Sequence, residues 1–257
     1  MANYISNMPV WAIVLFIAGF LYSIAFIANP AKQAALNAGM GSDSARKIQF
    51  GVFGFYFIYL AYVSVLSLKG VFYNNSLPPR VFVLTTVPLT IILFGIIGNT
   101  GLFKKLLQSA TLESLIYLHV FRLLGVFFLL LYFYHLQPAG FAFSAGMGDI
   151  LTGLFAIPVA KMVSKGKPWS KKVAIAWNIF GILDIVTLLV IVGINARNSV
   201  ISGVQGDMEM VMFPFVWLPA FAPATILFLH TVVFRKLRLM SVSAKQPERF
   251  NKAATAN

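Results

Sequence analysis

Seven stretches of about twenty apolar residues, near 9–28, 50–68, 81–99, 114–135, 140–162, 173–193 and 211–233, leave this chain few folds to choose from. A helix of roughly 20 residues crosses the ~30 Å of hydrocarbon in a bilayer, whereas a barrel strand would show about ten residues of alternating hydrophobicity. These Leu-, Ile- and Phe-rich runs do not alternate. Only 11% of the chain is charged and 59% is hydrophobic, against a charged fraction of about 25% in soluble domains. The expected fold is all-α: a polytopic membrane protein built as a seven-transmembrane-helix bundle.

The basic residues predict its orientation. With the N-terminus outside, the inner segments carry Lys32, Arg46 and Lys47, then Lys104 and Lys105, then Lys161, Lys165, Lys167, Lys171 and Lys172, and finally Arg235, Lys236, Arg238, Lys245, Arg249 and Lys252. The outer segments carry only Lys69, Arg80 and Arg197. Cytoplasmic loops are the ones enriched in Lys and Arg, so the sequence reads N-out, C-in, which agrees with an odd number of spans. The net charge of +13 follows from this topology and from attraction to anionic headgroups, about 1 kcal/mol per basic residue. It calls for the lipid bilayer as partner and for no nucleic acid.

Residues 1–240 read as one seven-helix transmembrane domain, and 241–257 as a basic, disordered cytoplasmic tail. The first apolar run has no basic residue before Lys32, so it is expected to stay as the first helix and not to act as a cleaved signal peptide. GLFKKLLQSATLE, between the third and fourth spans, pairs lysines with leucines and reads as a short interfacial helix. The longest connections are expected at Asn29–Gln49 and Asn195–Met210. The chain contains no cysteine, which excludes disulfides, thiolate metal sites and cysteine catalysis.

Ions interrupt three of the greasy segments: Arg122, Asp149 and Asp184. Each costs about 2.5–3.5 kcal/mol at the centre of a membrane helix, so they must face one another or a cavity. Counted at 1.5 Å per residue from the inner end of the fourth span, His119 lies roughly 9 Å in and Arg122 roughly 13 Å in. Asp149, Asp184 and Asn178 reach similar depths, and His230 comes near the level of His119. The candidate binding residues are therefore Arg122, Asp149, Asp184 and Asn178, with His119 and His230 beneath them. His119 and Arg122, three apart, share a helix face, as do Trp177, Gly181 and Asp184. Two carboxylates against one guanidinium leave a surplus negative charge for a cation, a proton or a protonated histidine to neutralise. Alternatively the bridge only pins helices together.

Gly146, Gly148 and Gly153 surround Asp149, and Pro214, Pro219 and Pro223 punctuate the last span. One reading is broken helices with free carbonyls near the polar layer, as in transporter midplane sites. The other is close helix contact at the glycines and simple bends at the prolines.

The strings HVFRLLG (119–125), GDILTGLFAIPVA (148–160), AWNIFG (176–181) and FPFVWLPAFAPATILFLH (213–230) resemble an uncharacterised group of bacterial, often Bacteroidetes, multi-pass integral membrane proteins, over roughly 80–240. The resemblance implies a bacterial inner (plasma) membrane and no particular chemistry.

Three classes of function fit. The first is a transporter or binding protein for a small molecule or ion, linked to protons through Asp149 or Asp184, with Arg122 tuning the site and the histidines relaying protons. The second is a membrane haem or metal protein that uses His119 and His230 as ligands. The third is a sensor or structural partner without catalysis. Gly146-Met147-Gly148-Asp149 echoes the GxGD of intramembrane aspartyl proteases, but the second aspartate follows the motif here where that family has it before, so no catalytic set is assigned. The chain carries no cofactor signature or metal-binding motif, and its oligomeric state has no mark in the sequence.

Overall fold

The computed structural model describes residues 4–203 and 208–254, with side chains described as far as Ser241. Among the described residues, seven helices are long and apolar enough to cross a membrane. The chain is a multi-pass membrane protein.

α1 (Val10–Asn37) and α2 (Ser42–Leu68) form the first hairpin. The long connection expected at Asn29–Gln49 is mostly helix. Hydropathy marks only the part of a helix that sits in hydrocarbon, and the alanine-rich AKQAAL after Pro30 continues the helix with good helix formers beyond it. α1 ends where Gly39 adopts φ 75° and the Met40 amide closes on the Ala35 carbonyl at 3.0 Å, the left-handed cap that glycine takes without a steric penalty.

The third span, Phe82–Asn99, is irregular. π-helical turns at Phe82–Thr86 and Ile91–Ile96 flank α3 (Val87–Thr90), and a 3₁₀ turn closes it at Ile97–Asn99. Pro88 has no N–H to donate back along the helix; the Tyr62 hydroxyl donates to the Leu84 carbonyl at 3.2 Å instead. The expected short helix follows as α4 (Gly101–Ser109), capped where the Thr100 hydroxyl accepts from the Phe103 amide at 3.1 Å. Lys236 closes its other end by donating to the Leu107 and Gln108 carbonyls at 3.3 and 2.7 Å.

The fourth span joins α5 (Leu112–Tyr117), a 3₁₀ segment at Leu118–Gly125 and α6 (Val126–Phe133). α7 (Ala139–Ser164), α8 (Ser170–Ser202) and α9 (Trp217–Ala254) complete the bundle. α8 runs well into the connection expected from Asn195 and stops at Gly203, φ 67°. α9 begins six residues later than the apolar run, because Phe213 pairs with the N-terminal segment: Ser6 donates to the Phe213 carbonyl at 2.8 Å, and the Phe213 amide donates to Tyr4 at 3.0 Å. Its crossing portion ends at Ser241, and the helix runs on to Ala254, past residue 240 where a disordered tail was expected.

Burial shows which spans are central. The fourth span and α9 have 56% and 72% of their apolar windows buried, against 11% for α8 and 22% for α2. The core beside them is aromatic: Phe16 packs on Phe215 and Phe127 with ring centres 4.6 and 5.0 Å apart, and Phe20 and Tyr56 both meet Phe221. Such contacts hold helices together where lipid supplies no hydrophobic drive.

Pro214 lies before the start of α9, and the helices around the glycines and the other two prolines are not broken. α7 is continuous through Gly146, Gly148, Gly153 and Pro158, and α9 through Pro219 and Pro223. Pro219 sits in the first turn, where a missing N–H costs nothing. The Pro219 carbonyl, which Pro223 cannot serve, accepts from the Thr86 hydroxyl at 2.8 Å.

Candidate functional site

The site starts from an unusual backbone. The 3₁₀ segment Leu118–Gly125 is eight residues long, about twice the usual run. A 3₁₀ helix has three residues per turn, so His119, Arg122 and Gly125 stand in one row on its inner edge. All three are buried. An α-helix would fan them over about 120° of arc, since each step of three residues falls about 60° short of a full turn.

Arg122 is the hub. Its Nε donates to Asp149 Oδ1 at 2.6 Å, and its Nη2 donates to Asp184 Oδ2. Nη1 donates to the Gly181 carbonyl at 3.3 Å and meets His230 Nε2 at 3.2 Å. The arginine side chain is wholly buried, while the aspartates retain 8% and 13% exposure. One planar guanidinium thus ties α7, α8 and α9 to the fourth span by charge-assisted bonds. The second oxygens of Asp149 and Asp184 accept no hydrogen bond from the described residues.

Asn178 settles the histidine's tautomer. Its Nδ2 donates to the His230 carbonyl at 3.1 Å, so its Oδ1 is the atom 2.7 Å from His230 Nδ1. Nδ1 must therefore carry the hydrogen, which leaves Nε2 bare to accept from Arg122. His230 is a neutral acceptor in this network.

His119 takes no part in it. Its ring lies over His230 with centres 4.0 Å apart and planes inclined by 33°, and Trp177 meets its edge at 5.0 Å. Among the described residues, neither ring nitrogen has a hydrogen-bond partner. Stacked rings send their lone pairs past each other, and His230 Nε2 already serves Arg122, so the two do not converge on one axis as a haem or metal pair would.

Three glycines make room for the charges. A Cβ on Gly148 would overlap the Asp184 carboxylate, and one on Gly181 would overlap the His230 ring. One on Gly125 would come within 2.5 Å of the Asp149 Cβ. Trp177 completes the packing by donating to the Thr152 carbonyl at 3.0 Å.

Asp149 also lines a cavity of about 170 Å³. Phe72, Phe82, Phe128 and Phe141 form part of its wall, with Leu188 and Val192 on α8. Asn75 and Arg80, in the connection that follows α2, and Asn195 and Ser199, near the C-terminal end of α8, line it as well. There Asn75 and Ser199 are joined by two hydrogen bonds of 3.1 and 2.6 Å.

A family model described as a domain of unknown function, DUF8737, matches residues 78–238. The chain belongs to the DUF8737 family. No curated protein and no solved structure matches it. The DUF8737 region begins just before the third span and includes every element that contributes to the ion cluster. α1 and α2 precede it. Within DUF8737, then, the structure brings together all six residues singled out by sequence, with His119 touching the others only through ring contacts. Sequence reasoning missed Gly125, Thr152 and the cavity. The three-residue spacing of His119, Arg122 and Gly125 carried a signal for the first; the other two depend on how spans pack side by side.

Proposed function

We propose that this chain is a proton-linked carrier or binding protein for a small ion or molecule in the bacterial inner membrane, oriented N-out and C-in. The observation that carries the reading is the cavity that Asp149 lines together with residues of the connection that follows α2 and of the C-terminal end of α8. Ionisable groups placed inside a membrane bundle and reached by a water-sized path are what ion and proton pathways require. A bridge that served only to pin helices would need no such opening.

Arg122 then holds the two carboxylates at a fixed spacing, and His230, oriented by Asn178, holds Arg122. Asp149 is the group that meets the ligand or proton entering the cavity. The distribution of Lys and Arg supports the orientation, in which the Asn75 and Ser199 end of the cavity faces outward and serves as its mouth.

The absence of native cysteine makes the test direct. In intact cells, Val192→Cys and Leu188→Cys should react with a membrane-impermeant cationic thiosulfonate added outside, while the lipid-facing Leu183→Cys stays unreacted. Ser42→Cys, exposed at the start of α2, should react only after permeabilisation. If Asn195→Cys at the mouth is labelled but Val192→Cys and Leu188→Cys are not, the path to Asp149 does not exist and the reading fails.

A further inference from the structure

The cavity has an apolar wall and an acidic floor, and the balance of charge around that floor limits what can sit there. Arg122 contributes +1, Asp149 and Asp184 contribute −2, and the sum is −1. His230 is neutral by its hydrogen bonds, and His119, stacked beyond it, is fully buried. Among the described residues, Arg80 is the one other charged residue lining the cavity; it is exposed, so water screens its charge from the floor. A surplus charge of either sign is costly at this depth. One bound positive charge neutralises the cluster, and a second would leave it at +1.

We propose that the cavity takes an organic cation with an apolar body, an alkyl- or aryl-ammonium, whose charged end lies against Asp149, and that this cation and a proton on the Asp149–Asp184 pair exclude each other. The Phe72, Phe82, Phe128 and Phe141 side chains that line the cavity suit such a ligand, since aromatic rings attract quaternary ammonium within about 6 Å. An amphipathic anion would meet the same walls with its charge facing the wrong floor. When the cation enters, the carboxyl O–H bond breaks heterolytically, the proton leaves to water in the cavity, and the carboxylate stays to face the ammonium. Binding therefore exchanges one positive charge for another, the elementary step of a proton antiport. This inference rests on the open cavity proposed above.

The test uses the full chain in lipid nanodiscs with little buffer, titrated with benzyltrimethylammonium, which has no proton of its own to release. The expected result is saturable binding with about one proton released per cation, and an apparent affinity that rises up to about tenfold per pH unit while the proton competes. Asp149→Asn and Asp184→Asn each leave a neutral cluster, so each should abolish the proton release and weaken binding at least about tenfold. Val192→Trp, which fills the cavity and leaves the charges in place, should abolish binding by itself.

Binding without proton release, unchanged affinity in Asp149→Asn, or preferential binding of benzenesulfonate would each overturn the proposal. If that happens while Val192→Cys is still labelled from outside, the cavity is open and the ligand class is wrong. If Val192→Cys is also unlabelled, the carrier reading fails with it.

Discussion

Replacing Arg122 by Gln removes the one positive charge between two buried carboxylates while keeping a planar, hydrogen-bonding side chain. The arginine is wholly buried and the aspartates are 8% and 13% exposed, so the partners left behind gain little from water. Two unit charges about 4 Å apart attract by about 4 kcal/mol at an effective dielectric constant of 20, before desolvation is subtracted. Measured losses on breaking one side of a buried pair run at about 3–5 kcal/mol. Ordinary hydrogen bonds between membrane helices average only about 0.6 kcal/mol and reach about 1.7. The two ranges do not overlap, so the measurement can decide between them. Arg122→Gln should cost about 3–5 kcal/mol in a detergent-to-SDS unfolding titration, followed by tryptophan fluorescence, with Trp177 beside the site as reporter. The triple variant Arg122→Met, Asp149→Asn, Asp184→Asn removes all the charges and should recover most of that loss, since an apolar replacement of a buried ion cluster is often neutral or better. A loss below about 1.7 kcal/mol for Arg122→Gln, or a triple variant less stable than the single one, would show that the cluster is no more than an ordinary polar contact.

Other outcomes follow from the same geometry. Gly181→Ala should destabilise the protein by about 1–3 kcal/mol in that titration, because the added methyl overlaps the His230 ring. Gly193→Ala on the same helix meets nothing within 4 Å and should be neutral, or stabilising by up to about 1 kcal/mol. Asn178→Leu removes the group that holds the hydrogen on His230 Nδ1 and should cost about 1 kcal/mol; the imidazole nitrogen shifts seen by NMR in labelled protein should show a changed tautomer balance. Thr86→Val deletes the donor to the carbonyl that Pro223 leaves unserved and should cost about 0.6 kcal/mol.

The membrane class and the number and rough position of the spans were legible because they depend on local composition. A run of twenty apolar residues has the same meaning wherever it packs. The ends of the helices were less legible. α1 and α8 pass beyond their apolar windows because a helix continues as long as its backbone hydrogen bonds do, whether the side chains face lipid or headgroups. The start of α9 depended on Phe213 finding the N-terminal strand-like segment, a pairing across more than two hundred residues.

The need for a charged cluster was likewise set by sequence alone: Arg122, Asp149 and Asp184 lie in apolar segments, and lipid offers such groups no partner. What tertiary structure decided was how that need is met. The 3₁₀ register put His119, Arg122 and Gly125 in one row, glycines on three different elements opened the space, and Asn178 chose the hydrogen position on His230. The cavity above Asp149 belongs to no single segment, since its wall is drawn from the connections that follow α2 and α8 and from five crossing elements. Burial cost is a property of one residue and its surroundings in the chain, whereas a pocket is a gap between helices, and only their lateral packing creates it.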